Sequence, residues 1–217
     1  MELVPVFQEI MDTAGGIAPI GYEALIRARG SLRVLEAMEV FAAASEFGGR
    51  EKLDQQIQAI QLEQGLPLLQ PNQRLFLNMP SYPVHEEYYA ALSPYASRLV
   101  LEVSEKAKVT DAQFYWLHEL HKTGAEIAID DFGVGSHNLA TLTKLQPDGI
   151  KLDMSFVHNQ DYETIRKVRR FAEDWNASLI VEGIETEQEA AAVMDAGVRY
   201  IQGFFYSRPQ EAWYYWL

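Results

Sequence analysis

The sequence predicts an α/β fold, a TIM-like (β/α)8 barrel occupying a single domain, residues 1–217. Three observations predict it. Eight short apolar runs alternate with longer amphipathic segments along the whole chain, so helix follows strand repeatedly and the strands are expected to be mainly parallel. The 217 residues lie near the lower end of the size range of such barrels, and no Ser/Gly/Pro-rich linker or charge block divides them. The rival, a doubly wound open sheet, ordinarily carries a glycine-rich turn after its first strand. Here Gly15-Gly16 lies in an early loop without that pattern, and Gly133-Val134-Gly135 lacks the third glycine and comes too late.

The elements follow in order. Residues 4–7 and 20–26 are the first two strand candidates. Segments 32–47 and 53–69 carry apolar residues at helical spacing and are parted by Gly48-Gly49. Residues 74–78 read as a strand that ends at Asn78, because Pro80 and Pro83 forbid a long continuation. A short helix is expected over 84–92, a strand with Glu102 inside it over 99–103, and a helix over 111–123 closed by Gly124. The apolar run from Ala125 ends in Asp130-Asp131 and a glycine-bearing turn. Then come a short helix over 138–145, a strand over 149–152 carrying Lys151, and a charged helix over 161–176. A strand over 179–181 ends at Glu182, a helix over 186–196 is capped by Gly197, and the last strand, 200–202, ends at Gly203.

Composition narrows the function. Hydrophobic residues make up 48% of the chain, enough for a sizeable core. Thirty-one acidic residues against 18 basic ones give a net charge of -13, which argues against DNA as a partner. An anionic small ligand stays compatible if metal ions reverse the local field. There is no cysteine, hence no disulfide and no thiolate metal site, as suits a reducing compartment. The N-terminal residues have neither the basic nor the apolar region of a signal peptide, and no apolar run approaches the roughly 20 residues of a membrane helix. The expectation is a soluble, cytoplasmic protein without membrane insertion.

Asp130 and Asp131 are the centre of the chemical argument. Two carboxylates one peptide apart resist joint ionisation unless a cation sits between them, and a hard divalent ion suits carboxylate oxygens. Alone, Asp131 could simply open a turn. It does not stand alone. Polar residues recur at the strand ends: Glu23, Asn78, Glu102, Asp130 with Asp131, Lys151, Glu182 and Gln202, at spacings of 55, 24, 28, 21, 31 and 20 residues. One βα unit takes roughly 25–30 residues, so the first gap is about two units and each other about one. In a barrel those ends converge on one rim. Five carboxylates, an asparagine, a lysine and a glutamine, with no thiolate or imidazole, select Mg2+ or Mn2+ over zinc or copper. Five carboxylates exceed the needs of one divalent ion, and two ions about 3.5–4 Å apart would use them well, in the usual arrangement for hydrolysing phosphate esters. Lys151 could orient the attacking water or stabilise phosphate charge, and Arg27, four residues after Glu23, could hold a phosphate oxygen.

These residues carry a pattern that resembles the EAL domain family of cyclic di-GMP phosphodiesterases. The likeness lies in Tyr22-Glu23-Ala24-Leu25-Ile26-Arg27, Leu77-Asn78, Leu101-Glu102-Val103-Ser104-Glu105 and Asp130-Asp131-Phe132-Gly133-Val134-Gly135. It continues in Ile150-Lys151-Leu152-Asp153, Glu182-Gly183-Ile184-Glu185-Thr186 and Gln202-Gly203-Phe204. The resemblance implies a barrel in which Glu23, Asn78, Glu102 and Asp130 ligate a first Mg2+ or Mn2+, and Asp130, Asp131 and Glu182 a second. It implies that Lys151 and Glu182 assist the attacking water, and that Leu25, Arg27 and Gln202 lie on the substrate side. Glu105 would anchor the loop after Asp131, with Asp153 and Glu185 in supporting or helix-capping roles. The implied reaction opens one phosphodiester of cyclic di-GMP to give linear pGpG. A homodimer and a regulatory protein partner are compatible with it. The chain departs from the family pattern at Val4-Pro5-Val6, at Ala28 and in the loop Gly135-Ser136-His137-Asn138-Leu139. The alternative function is therefore a weak or inactive module acting as a cyclic di-GMP receptor or a protein-docking adaptor. A barrel enzyme abstracting a proton with Lys151 and one Mg2+ is a more distant rival.

Overall fold

The computed structural model describes residues 2–30, 34–36, 39, 41–42, 49–135 and 139–216. Among the described residues nine strands form one sheet: β1 (Glu2–Asp12), β2 (Ala18–Arg29), β3 (Val34–Glu36), β4 (Arg74–Asn78), β5 (Leu99–Ser104), β6 (Glu126–Phe132), β7 (Gly149–Leu152), β8 (Ser178–Val181) and β9 (Tyr200–Ile201). Their order is β1-β9-β8-β7-β6-β5-β4-β2-β3, and β1 also pairs with β2. That extra pairing closes eight strands into a barrel and leaves β3 as a flap on the end of β2.

From β2 and β4 through β9 the barrel ladders are parallel, as expected. β1 runs antiparallel to both of its neighbours. The reason is the length of its connection. Only residues 13–17 join β1 to β2, and a parallel pair needs a crossover of a dozen residues or more. A second departure lies at β3. Val34–Glu36 pairs with Arg27–Arg29 as a strand, so the helix expected from residue 32 does not begin there. The remainder of that expected segment lies largely outside the described residues, as does Gly48.

The helices cover the barrel. They are α1 (Arg50–Gly65), α2 (Glu86–Ala90), α3 (Asp111–Lys122), α4 (Leu139–Leu145), α5 (Ser155–His158), α6 (Tyr162–Asp174) and α7 (Glu187–Asp195). Local chemistry sets several of their starts. Thr110 and Gln113 form a reciprocal capping box on α3, Thr186 and Glu189 do the same on α7, and Asp161 caps α6. Between β4 and β5 the cover is thin, only α2 followed by a 3-10 turn at Ser93–Arg98. No helix among the described residues is long and apolar enough to cross a membrane.

The barrel interior is layered. Ile10, Phe76, Val100, Ala128 and Ile180 are buried together as an apolar plug. Side chains two residues along a strand share a face. So Phe76 is followed by Asn78, Val100 by Glu102, Ala128 by Asp130, Ile180 by Glu182 and Tyr200 by Gln202. β1 runs the other way, which puts Gln8 on the same level as Glu23, its register partner. One step above the plug, therefore, every strand contributes a polar residue. The outward faces of the strands pack against the helices in two further clusters centred on residues such as Leu75, Leu101 and Ile127, and Leu152, Val181 and Val193.

Candidate active site

Lys151 stands at the middle of the polar layer. Its ammonium is fully buried, with Nζ 2.7 Å from Glu102 Oε1, 2.8 Å from Glu182 Oε1, and 3.2 Å from both Glu23 Oε2 and Asp130 Oδ1. Four strands thus deliver four carboxylates to one cation. Asn78 sits beside them and donates its side-chain N–H to Glu23 Oε1 at 3.1 Å and to Glu102 Oε2 at 3.2 Å. Gln202 donates to Glu23 Oε2 at 2.7 Å and to Gln8 Oε1 at 3.2 Å. The sequence expectation that these residues meet at one rim holds for Glu23, Asn78, Glu102, Asp130, Lys151, Glu182 and Gln202.

Other expected residues lie around the cluster without joining it. Asp131 adopts a left-handed backbone, φ 57°, and its carboxylate faces Lys106 Nζ at 3.4 Å rather than Lys151. Glu105 is buried and takes backbone N–H donors from Gly133 at 2.9 Å and Gly135 at 2.6 Å, which ties down the start of the loop after Asp131. Residues 136–138, where the loop departs most from the family pattern, lie outside the described residues. Asp153 accepts from Ser155 N at 2.9 Å and so opens α5. Glu185 is exposed and lines a small cleft with Glu182, Met154 and Phe204. Leu25 lines a larger cavity of about 510 Å3 next to Glu23 and Asn78. Arg27 is half-buried further along β2, with Nη1 on the Ile26 carbonyl at 3.0 Å.

Sequence reasoning missed two features. Gln8 is buried and fixes Gln202, while its own N–H reaches Ser207 O at 2.9 Å. Its only signal was its place on a strand adjoining Glu23, which becomes visible once β1 is known to be antiparallel. The second is the far wall of the larger cavity, built by Arg50 and Asp54 from α1. Asp54 accepts the Tyr82 hydroxyl, and the Arg50 guanidinium lies 4.9 Å above the Tyr82 ring. Nothing in their spacing marked these residues. A wider, mostly apolar groove of about 880 Å3 lies on the outside between α1 and α2 and carries none of the clustered carboxylates.

The electrostatics reflect crowding. Burial, opposed in part by Lys151, pushes Glu182 up to about 8 and raises Asp130; the same burial holds Glu102 well above the ordinary range. Glu23 goes the other way. Burial alone would raise it, but Lys151, Gln202 and Asn78 together outweigh that and hold it down. Burial would likewise lower Lys151, and the surrounding carboxylates reverse the direction. One ammonium among four carboxylates leaves an excess of buried negative charge, which a low-dielectric site tolerates only with protons or further cations.

The donors fit hard divalent cations. All the oxygens are carboxylate or amide. Glu102 Oε1 and Asp130 Oδ1 are buried at 2.7 and 3.2 Å from Nζ, so these oxygens already face a cation. Among the described residues no three acidic or histidine side chains stand in a ready ligating cluster. The carboxylates are gathered around Lys151, and Asn78 turns its N–H toward them.

Comparison with known proteins places this geometry. The family model of the EAL domain matches residues 1–209. The probable cyclic di-GMP phosphodiesterase PdeA of Escherichia coli (strain K12) is 37% identical over 126 residues, 55% of this chain and 17% of that protein. The cyclic di-GMP phosphodiesterase PdeF of the same organism is 28% identical over 207 residues, 87% of this chain and 28% of that protein. Among solved structures, the manganese and cyclic di-GMP complex of Klebsiella pneumoniae BlrP1 superposes with a TM-score of 0.85 at 28% identity, covering 98% of this chain and 57% of that one. The chain spans 17%, 24% and 31% of the length of the first curated relatives it matches.

Proposed function

The chain belongs to the EAL domain family, and from that membership we propose that it hydrolyses cyclic di-GMP, opening one phosphodiester to give linear pGpG, with Mg2+ or Mn2+ as cofactor. The observation that carries this is the convergence of Glu23, Glu102, Asp130 and Glu182 on Lys151 beside Asn78. Glu23, Asn78, Glu102 and Asp130 would hold one ion, and Asp130, Asp131 and Glu182 a second. Five carboxylate side chains exceed what one divalent ion would use, which favours two. The chemistry a bound pair supplies is neutralisation of phosphate charge and acidification of water.

The chain's own groups do the rest. Lys151 donates N–H bonds to the attacking water or to a phosphate oxygen. Glu182, beside it, would accept the proton, a role in which a neighbouring cation would have to ionise a carboxyl that burial raises to about 8. Gln202, fixed by Gln8, holds Glu23 in orientation. Asn78 would hold an ion through its carbonyl oxygen, with its terminal amide turned over from the orientation in which it donates to Glu23 and Glu102. Cavities on both sides of the cluster, one lined by Leu25, Asp54 and Arg50 and one by Met154, Glu185 and Phe204, leave room for a base on either side of the scissile phosphate. Arg27 contributes a guanidinium from the adjoining end of β2. With a net charge of -13 the protein repels a dianionic dinucleotide at long range, so the local positive field of the ions matters for binding as well as for chemistry.

The test is direct. Purified protein with MnCl2 or MgCl2 is expected to convert cyclic di-GMP to pGpG, with loss of turnover on chelation and in Glu23→Ala. Turnover no higher than that of a Glu182→Ala control under both metals overturns the assignment. A homodimer would show as a doubled mass in sedimentation velocity.

A further inference from the structure

One face of the outer layer is apolar and uncovered. Between β4 and β5 the helical cover shrinks to the five residues of α2 and the turn Ser93–Arg98, whereas α1 and α3 on either side run 16 and 12 residues. The groove of about 880 Å3 against α1 lies in that indentation. Buried Leu62 and Tyr88 form its floor, and Ala59 and Tyr95 line it from exposed positions. Leu66 and Pro67 line it too, in the 3-10 turn Leu66–Leu68. That turn packs against a second one, Ala212–Trp216, whose aromatic side chains divide. Tyr215 points inward, its hydroxyl donating to Phe7 O at 2.6 Å and its ring edge-on to Tyr22 at 5.0 Å. Trp213, Tyr214 and Trp216 point outward and are 55%, 51% and 63% exposed. The inward tyrosine fixes the turn, so these rings are ordered before any contact is made.

Charges on the same face lack partners. Among the described residues Glu63 on α1 and Glu87 on α2 make no ion pair, and the Arg98 guanidinium meets the Leu69 carbonyl at 3.0 Å but no carboxylate.

We propose that this face is a homodimer interface, in which Trp213 and Trp216 of each protomer enter the groove of its partner. Projecting rings beside an empty groove suit a two-fold contact, since each surface supplies what the other lacks and the assembly closes at two copies. The charges fit the same symmetry. Arg98 of one protomer can meet the carboxylates of the other, whereas a basic partner protein would have no use for the arginine. Trp, Tyr and Arg are also the side chains that dominate interface energies. Two copies of net charge -13 repel, but a Debye length of about 8 Å at physiological salt leaves the local pattern to decide. The interface lies outside the carboxylate cluster and does not rest on the catalytic reading.

Sedimentation velocity from about 1 to about 100 μM is expected to show wild-type dimer, populated at the top of that range and dissociating on dilution. Wild type that stays monomeric throughout overturns the proposal without any variant. Two variants then locate the face. Trp213→Ser with Trp216→Ser removes the projecting rings, and Ala59→Arg blocks the groove. All three positions are exposed, so both variants are expected to keep the wild-type circular dichroism and melting temperature. Each should weaken dimerisation at least about tenfold, as loss of an interface anchor does. A two-fold dimer makes one further demand. An equimolar mixture of the variants retains one ring-in-groove contact, from the intact rings of one to the intact groove of the other, where each variant alone retains none. The mixture should therefore dimerise more strongly than either component. A wild-type dimer that either variant leaves unchanged, or a mixture no more associated than its components, overturns the proposal. None of these readouts involves turnover, so failure here leaves the proposed activity untouched.

Discussion

Glu102 and Glu182 hold Lys151 Nζ at 2.7 and 2.8 Å, while Glu105 holds the neighbouring loop from outside the cluster. The contrast separates two roles for similar side chains. Glu105 touches none of the four clustered carboxylates in the contacts described above, yet two backbone N–H groups of the loop that follows Asp131 end on one of its oxygens. Gly133 takes φ 101° there, a conformation that other residues rarely adopt. Replacing Glu105 by Ala leaves both N–H groups without their acceptor and loosens the backbone that carries Asp131. On the proposed activity, turnover of cyclic di-GMP is expected to fall about 10–100-fold, the usual cost of removing a group that orients a metal ligand. Glu105→Gln, which keeps an acceptor oxygen, should recover part of it in the same steady-state assay. Unchanged turnover in Glu105→Ala would remove the loop from the mechanism.

At the scale of elements, two short contacts set where the functional side chains stand. The end of β9 passes so close to Ile184 that a Cβ on Gly203 would lie 2.1 Å from the Ile184 carbonyl oxygen and 2.3 Å from its nitrogen. Backbone cannot yield as a side-chain tip can, so Gly203→Ala must push β9 outward and take Gln202 with it. Overpacking of this kind costs about 1–3 kcal/mol or more, which urea denaturation would read as a lower midpoint. The start of α3 supplies the second case. Gln113 completes the capping box with Thr110, and its side-chain N–H also reaches Tyr82 O at 3.1 Å. The cap thereby tethers the segment that carries Tyr82, whose hydroxyl meets Asp54 in the wall of the larger cavity. Thr110→Ala is expected to destabilise the protein by about 1 kcal/mol, measured in the same way. A change well below that would mean Gln113 holds the helix start unaided.

For the whole molecule, the barrel closes through one of its two thinnest joints, since β8 also meets β9 through two register pairs. β1 meets β9 through only two register pairs, Met11 with Ile201 and Asp12 with Tyr200. Asp12 reinforces them by accepting Arg199 Nε at 2.8 Å and Nη2 at 2.6 Å, with Ala14 N at 2.8 Å. The Arg199 hydrogen bond holds the Asp12 carboxyl below its ordinary value of 3.8. A carboxylate depressed in the folded state stabilises fully above the unfolded pKa and loses that contribution as pH falls through the folded one. Asp12→Asn should therefore lower the melting temperature at neutral pH, and its gap from wild type should narrow as pH falls below 3.8. A gap constant with pH would assign the effect to the amide's geometry and not to charge.

Which residues would meet was legible in the sequence because strand periodicity is local. A side chain two positions beyond a plug residue faces the same way, so Asn78, Glu102, Asp130, Glu182 and Gln202 could be placed on one rim from their position at strand ends alone. The spacing of βα units carried the fold for the same reason. Tertiary structure alone decided the rest. β1 is antiparallel because the connection 13–17 is too short to cross over, and only that direction brings Gln8 level with Glu23. Residues 34–36 pair with Arg27–Arg29 only a few positions upstream, a strand pairing that helical spacing did not reveal. The positive φ of Asp131 turns one member of an adjacent acidic pair away from the other. That Lys151 stands at the centre of four carboxylates from four separate strands was settled by barrel closure, which no local pattern encodes.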